Sequence, residues 1–334
     1  MVKKETKTKT EEKTFVSKLI GFVKKISPVY IIFIIVYGIV GYLNPNYRTF
    51  NGIFQFLRRS SPTVILAIGQ MFVLVTGGFD LSVGSLISLV LFGSSLLLGN
   101  DPENLGITLV TIMGIGIAIG LANGAAVSYL KVPSFITTLG SLLLVKGAAM
   151  YWVGGAPKGY FTDNFRVFGR GYIENLPIVD RIPYSLIIML GIAIVSYIVF
   201  HKTNFGKCVL AIGDNVRTSR LSGVNVEFVR LMTFVISSAF AVVAGVLIGG
   251  FGGISQTAGT GAEMQAISAA VLGGTALTGG KGSIPGAVFG ALTLEAMFNL
   301  LNLLGLPKPY RDAIQGLIII GAVAYGSLSR KKNR

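Results

Sequence analysis

Residues 77–85 have the sequence GGFDLSVGS, which places glycines, an aspartate and two serines between the apolar runs 61–77 and 82–99. A second glycine-rich segment, GGTALTGGKGS at 273–283, separates two further apolar runs in the other half of the chain. Short or glycine-broken apolar segments in corresponding positions are typical of discontinuous helices at a transport site. They predict glycine-broken helices near the centre of a membrane domain, with a possible internal repeat. Two ordinary cytosolic turns are the alternative.

Apolar runs follow one another outward from these segments along most of the chain. Of the 334 residues, 52% are apolar and 13% are charged, and the mean hydropathy is +0.70. So few charges cannot cover this much apolar surface in water, which excludes most soluble enzymes and disordered proteins. The runs predict an all-α polytopic membrane protein with about ten transmembrane helices. They lie near 28–43, 61–77, 82–99, 105–130, 134–153, 184–200, 231–250, 264–278, 283–304 and 309–327.

The net charge of +15 is concentrated outside these runs, with lysines before residue 28 and basic residues at the end of the chain. We predict a flexible basic cytosolic tail at 1–27, one transmembrane domain at 28–327 and a basic cytosolic tail at 328–334, with no nucleic-acid partner. Segments assigned to the cytosol hold 19 basic residues and those assigned outside hold 9, which supports cytosolic N and C termini. The same assignment gives an extracytoplasmic loop at 154–183 and a basic cytosolic segment at 201–230.

Cys208 and His201 are the only cysteine and histidine, which excludes an internal disulfide and most zinc, Cys-His and His-relay sites. We predict no catalytic residue, no metal site and no cofactor in this chain. The segment before Lys281 resembles a phosphate-binding loop. It has Thr275 where the first glycine belongs and Gly282 where a serine or threonine belongs, so we expect no ATP binding.

Charged and polar side chains within the apolar runs are few, and they are the candidates for a solute pathway. Asp80 and Glu295 are the main acidic ones, and charged groups in lipid are costly and often functional. A helix-capping role beside Ser82 is the alternative for Asp80, and interhelical hydrogen bonding is the alternative for the amides. The predicted pathway residues are Gln70, Phe79, Asp80, Ser82, Asn123, Thr275, Glu295 and Asn299.

Glycines also recur at four-residue spacing within the predicted helices. In lipid, this spacing permits close approach of helix backbones. We interpret these glycines as helix-packing positions rather than ligand contacts. They are Gly116, Gly120 and Gly124, then Gly245 with Gly249, and Gly286 with Gly290.

Three sequence blocks resemble one family of membrane proteins. GGFDLSVGS at 77–85 resembles the GGIDLSVGS signature of the permease subunits of ribose-type ABC importers, with Phe79 in place of isoleucine. AIGDNVRTSRLSGVNV at 211–226 is similar to the cytosolic segment of that family. GTGAEMQAISAAVLGGTALTGGKGS at 259–283 is similar to its third block. The family also includes galactose, xylose, arabinose and autoinducer-2 systems.

The resemblance implies an assembly in which this chain is one subunit. Two permease copies, identical or related, form the pore, and an extracytoplasmic substrate-binding protein delivers the solute. A cytosolic ABC ATPase with paired nucleotide-binding domains binds ATP and Mg²⁺. The implied location is the cytoplasmic membrane of a prokaryote, in contact with membrane lipid. The block at 211–226 matches the coupling helix that docks on the ATPase, although residues 216–219 depart from the family pattern. The implied coupling residues are Asp214, Asn215, Arg220, Leu221, Ser222 and Gly223.

The resulting hypothesis is a permease subunit that translocates a ribose-like pentose or a hexose, because the pathway is sparse in charge. A permease for autoinducer-2 or nucleosides is the alternative within the family. An ion-coupled secondary transporter would need Asp80 or Glu295 in its path. A membrane-embedded enzyme would need a catalytic cluster, which the sequence does not supply.

Overall fold

Helices dominate the structure, a computed structural model that describes residues 27–99, 101–155, 160–174, 181–255, 257–310, 312–318 and 320–321. Three predicted segments lie wholly or partly outside the described residues. They are the tail at 1–27, of which only residue 27 is described, the tail at 328–334, and the end of the run 309–327. The helices are α1 (Pro28–Leu43), α2 (Phe50–Val75), α3 (Val83–Leu98), α4 (Leu105–Ser128), α5 (Ser134–Trp152), α6 (Asp163–Arg170), α7 (Tyr184–Lys202), α8 (Asn204–Asp214), α9 (Val216–Leu221), α10 (Val226–Gly252), α11 (Ala262–Leu272) and α12 (Ile284–Leu303), with 3₁₀ turns at Pro45–Arg48 and Pro102–Asn104.

A short strand pair lies in the predicted extracytoplasmic loop 154–183. Strands β1 (Tyr172–Glu174) and β2 (Arg181–Pro183) are antiparallel, with Ile173 opposite Ile182. The same loop contains α6. The prediction of an all-α chain is therefore correct for the bundle but omitted this hairpin.

Five helices in the described part of the chain are long and apolar enough to cross a membrane. They are Pro102–Ser128, Ser134–Trp152, Tyr184–Lys202, Val226–Gly252 and Ile284–Leu303. Three further helices, α1, α3 and α11, are apolar but shorter. Together these helices make the chain a polytopic membrane protein.

Two helix boundaries differ from the predicted runs for local reasons. Helix α2 begins well before the predicted run 61–77, because the Thr49 hydroxyl caps its first turn by accepting the Gly52 amide at 3.0 Å. Helix α11 ends at Leu272, before the end of the predicted run 264–278. The chain turns there because Gly274 has a φ of 90°, in the left-handed region that glycine tolerates.

Helix α10 is central, since it packs against α2, α3, α4 and α6. Glycines on α4 allow its closest contacts. A Cβ on Gly120 would lie 2.8 Å from the Ser238 hydroxyl, and a Cβ on Gly124 would lie 2.9 Å from the Leu231 Cα, both tighter than real Cβ contacts. The predicted packing role of these glycines is confirmed.

Two long helices are each followed by a non-helical glycine break and a short apolar helix. Helix α2 leads through the first break, residues 76–82, to α3. Helix α10 leads to α11 through the segment 253–261, of which the structure describes residues 253–255 and 257–261. The breaks begin in similar ways, with Gly77 at a φ of 80° and Gly253 at a φ of 82°.

The two long helices, α2 and α10, run in opposite directions. The Arg58 guanidinium, early in α2, lies 5.0 Å from the ring centroid of Phe251 at the end of α10. The Arg230 guanidinium, early in α10, donates to the Thr76 carbonyl just after α2, at 3.5 Å. We call the first place the hairpin end, because Arg58 also contacts Tyr172 of β1. We call the second the α8 end, because α8 terminates there.

The short helices begin side by side and run to opposite ends of the bundle. A Cβ on Gly84 would overlap the Glu263 carboxylate and the Gly259 carbonyl, so the start of α3 meets the start of α11. The internal pairing that we predicted, 77–85 with 273–283, is therefore wrong. The counterpart of the first break is the segment 253–261, whereas 273–283 is the turn between α11 and α12.

Candidate functional site

Four predicted pathway residues form one buried polar group, the Asp80 cluster (Gln70, Asp80, Ser82 and Asn123). The fully buried Asp80 carboxylate accepts the Ser82 amide at 3.0 Å and the Ser82 hydroxyl at 2.6 Å. The Ser82 hydroxyl in turn accepts the Asn123 amide at 3.0 Å. This is an Asx turn that leads into α3 at Ser82, and within the described residues no side chain accepts a hydrogen bond from the first turn of the helix itself, so Asp80 orders the entry to α3 beside Ser82 without capping it.

The first break turns back into the bundle at this cluster. With its amide oriented to satisfy both groups, the Gln70 side chain donates to the Asp80 carbonyl at 3.1 Å and accepts the Asp80 amide at 3.3 Å. Helix α5 holds Phe79, the residue before Asp80. The Phe79 amide donates to the Ser134 hydroxyl at 3.0 Å, and the Phe79 carbonyl accepts the Thr138 hydroxyl at 3.2 Å. The break is therefore fixed on both sides by side-chain hydrogen bonds.

The glycine-rich turn 273–283, between α11 and α12, stays at the α8 end instead of turning inward. The Gly280 amide donates to the Val75 carbonyl at the end of α2, at 2.9 Å. Thr275 is buried there, and its amide donates to the Ala270 carbonyl at 3.1 Å. Of the two glycine segments singled out in the sequence, only the first matches the prediction of a break within the bundle.

A second polar group, the Glu295 cluster (Thr63, Gln265, Glu295 and Asn299), joins α2, α11 and α12. The Glu295 carboxylate accepts the Thr63 hydroxyl at 2.6 Å and the Gln265 amide at 2.7 Å. One turn later on α12, the Asn299 amide donates to the Glu295 carbonyl at 2.9 Å. Gln265, Glu295 and Asn299 are half-buried, so this cluster is more open than the Asp80 cluster.

A cavity of 410 Å³ opens beside the Glu295 cluster and shares Asn299 with it. The side-chain amide oxygen of Asn299, Oδ1, also accepts the Tyr47 hydroxyl at 3.3 Å. Most lining side chains are neutral hydrogen-bonding groups, and Arg59 supplies a positive charge. Such groups suit the hydroxyls of a small polar solute. The lining residues are Asn44, Asn46, Tyr47, Thr49, Asn51, Gly52, Gln55, Phe56, Arg59 and Asn299.

Sequence reasoning identified Glu295 and Asn299 but missed their partners. Gln265 and Thr63 lie in short apolar runs, where an isolated polar residue gave no signal of its own. The asparagine-rich segment between α1 and α2 was assigned to a connection. Its polar residues, concentrated between two spans, were the available signal for the cavity. Among the described residues, no group of three His, Cys, Asp or Glu could hold a metal ion.

The implied coupling residues surround the short helix α9. The Asn215 carboxamide caps this helix by accepting the Thr218 amide at 3.1 Å, and Arg220 forms an ion pair with Glu227. Leu221, the last residue of this helix, is 83% exposed. Asp214 ends α8, Ser222 follows the last residue of α9, and Gly223 reverses the chain at a φ of 80°.

Helix α8 connects this exposed segment to the start of the first break and to the turn 273–283. A Cβ on Gly213 would overlap the Val75 carbonyl and the Gly280 amide. Those two groups are hydrogen-bonded to each other at 2.9 Å, so three backbone segments meet at one point. We call this point the Gly213 joint (Val75, Gly213 and Gly280).

Comparison with known proteins identifies relatives over most of the chain. The family model described as branched-chain amino acid transport system / permease component matches residues 52–323. The ribose import permease RbsC of Escherichia coli K12 is 35% identical over 292 residues, 87% of this chain and 90% of that protein. RbsC of Bacillus subtilis 168 is 34% identical over 318 residues, 94% of this chain and 95% of that protein.

A permease named for a different sugar is similar to the same extent. The galactose/methyl galactoside import permease MglC of Escherichia coli K12 is 32% identical over 321 residues, 91% of this chain and 95% of that protein. No solved structure matched the chain. The relatives are transport components, so this chain is a transport subunit and not an enzyme. It belongs to the family of membrane permease components that includes the ribose and galactose import permeases.

Proposed function

We propose that this chain is the transmembrane permease subunit of an ABC importer for a monosaccharide, a ribose-like pentose or a hexose. The observation that carries the proposal is similarity over nearly the whole chain to import permeases named for ribose and for galactose. Apart from Arg59, the lining of the cavity beside the Glu295 cluster is uncharged, which supports an uncharged, hydroxyl-rich solute.

In the proposed topology, about ten spans cross the cytoplasmic membrane of a prokaryote with both termini in the cytosol. The hairpin end then faces outward and the α8 end faces the cytosol. The excess of basic residues in the segments assigned to the cytosol supports this orientation. The cavity beside the Glu295 cluster would then open toward the side from which solute arrives.

Energy for transport would come from a separate cytosolic ABC ATPase that binds ATP and Mg²⁺. Helix α9 is the proposed docking point, because Leu221 is exposed at its end and would bury its side chain in a partner groove. Closure of the ATPase would pull α8, and the Gly213 joint would pass that motion to the first break and to the turn 273–283. An extracytoplasmic binding protein would deliver solute at the hairpin end, and a second permease copy would complete the pore.

Uptake by whole cells tests this proposal against an ion-coupled transporter. Cells carrying the gene and its neighbouring transport genes are given labelled ribose or galactose, with and without an ionophore that collapses ion gradients. The proposal predicts uptake that requires the gene and persists in the ionophore while ATP is maintained. Loss of uptake with the gradient, at unchanged ATP, would instead support secondary transport.

A further inference from the structure

Arg230 on α10 holds the start of the first break. Its guanidinium is half-buried and donates to the carbonyl of Thr76, the residue that follows the last turn of α2, at 3.5 Å. Carbonyls at the end of a helix lack partners within the helix and carry the negative end of its dipole. A cation is therefore favourable here, and it holds the point where Gly77 turns the chain at a φ of 80°.

The same face of α10 follows the break further into the bundle. Phe234 and Ser237 lie four and seven residues after Arg230, on the same side of the helix. A Cβ on Gly78 would lie 3.5 Å from the Phe234 ring, and the Ser237 hydroxyl lies beside the Asp80 carboxylate. One face of a single helix therefore contacts the break from its first residue to the Asp80 cluster.

Glu227, in the first turn of α10, connects this face to the short helix α9. It lies three residues before Arg230 on the same side of α10, and the two side chains attract each other. Glu227 also forms the ion pair with Arg220, the next-to-last residue of α9, whereas Arg220 and Arg230 repel each other. One carboxylate is therefore shared by two guanidinium groups, one on the proposed docking helix and one at the break.

Docking of a partner on α9 would strengthen this arrangement. The side chains of Arg220 and Glu227 are 54% and 28% exposed, and exposed ion pairs are weak because water screens them. Leu221, next to Arg220 in sequence, is the side chain proposed to enter the ATPase. A bound ATPase would exclude water from the ion pair, and charges in a less polar environment interact more strongly.

We propose that Arg220, Glu227 and Arg230 form a charge relay through which a docked ATPase positions the first break. When α9 moves, the share of the Glu227 charge that is available to Arg230 changes, and Arg230 tightens or loosens its hold on the Thr76 carbonyl. Arg230 is therefore a positioning residue, which acts on the solute path through the break. The relay is separate from the Gly213 joint, because it runs through α10 and not through α8. The inference rests on the proposed function, because it needs an ATPase at α9.

Charge-removing substitutions test the relay in vesicles that contain the complete transporter, where sugar uptake is compared with ATP hydrolysed. Arg230→Gln should lower uptake per ATP at least fivefold, because glutamine keeps an amide donor but carries no charge. Arg230→Lys keeps the charge and should retain at least half of the wild-type ratio. Lys202→Gln is the matched control, because it removes an exposed basic residue at the end of α7, outside the relay. Co-purification of the ATPase should be unchanged in all three variants. A wild-type ratio in Arg230→Gln, or an equal loss in Arg230→Lys, would overturn the relay.

A double-mutant cycle on the two more exposed residues carries the test if Arg230→Gln does not accumulate. Arg220→Gln and Glu227→Gln should each lower uptake per ATP severalfold, and the double variant should lose no more than the worse single variant, because both substitutions remove the same link. Losses that multiply would overturn the relay, as would a wild-type ratio or lost ATPase co-purification in Glu227→Gln.

Wild-type vesicles separate this inference from the proposed function. Sugar uptake by the wild type that does not need ATP would refute the proposed function. Uptake by the wild type that needs ATP, together with wild-type ratios in the Arg230→Gln and Glu227→Gln variants, would refute the relay alone.

Discussion

The Gly213→Ala substitution tests whether α8 transmits motion to the first break and to the turn 273–283. The added methyl group would overlap the Val75 carbonyl and the Gly280 amide, and neither backbone group can rotate away. Overpacking of this kind costs about 1–3 kcal/mol. Strain on the hydrogen bond between those two groups adds about 1 kcal/mol. Because alanine favours the helix by about 1 kcal/mol relative to glycine, the expected net destabilisation is about 2 kcal/mol.

The larger effect should be on coupling. To relieve the overlap, α8 must move away from the first break and from the turn 273–283, so motion of α9 no longer reaches them directly. We expect sugar uptake per ATP hydrolysed to fall at least tenfold, which corresponds to about 1.4 kcal/mol. ATPase binding should be retained, because α9 itself is unchanged.

The assay compares ATP hydrolysis with labelled sugar uptake in vesicles that contain the complete transporter. Gly191→Ala is the control, because its methyl group enters open space. Wild-type uptake per ATP in the Gly213→Ala variant would refute the joint as a coupling element. Loss of ATPase binding in that variant would show that the substitution acts on docking instead.

Three further substitutions test the remaining parts of the account. Leu221→Asp should reduce co-purification of the ATPase at least tenfold without lowering the unfolding temperature, because the side chain is 83% exposed; undiminished co-purification would contradict docking at α9. Glu295→Ala leaves the Thr63 and Gln265 donors without their shared acceptor, so uptake should fall severalfold and stability by about 2 kcal/mol, measured by transport and thermal unfolding in detergent. Asp80→Ala removes the acceptor for the Ser82 amide and hydroxyl, so it should cost about 2–3 kcal/mol of stability. A variant as stable as wild type would contradict the idea that Asp80 orders the entry to α3.

Much of the architecture could be predicted because lipid imposes simple rules on sequence. Apolar runs and glycine spacing indicated the membrane class and a helix-packing role for the α4 glycines, both confirmed in the structure. Sequence blocks such as residues 77–85 indicated the family, which the relatives confirm. These features depend on local composition and short spacing, which a single sequence displays directly.

Features that depend on long-range contacts were harder to predict. The internal pairing was wrong because two similar glycine clusters, 77–85 and 273–283, are spatial neighbours at α8 and not equivalents. The segment 253–261 takes the equivalent place, although it shares little sequence with the first break. The Glu295 cluster likewise required α2, α11 and α12 to meet, which no local pattern indicates.

The most direct test of the central claim is uptake into sealed vesicles that contain this chain, its ATPase and its binding protein. Labelled ribose and galactose are offered with ATP, without ATP, and with the ATPase omitted. The account predicts accumulation of at least one of these sugars only when both ATP and the ATPase are present. Accumulation that continues without either would contradict the assignment of this chain as an ATP-driven import permease.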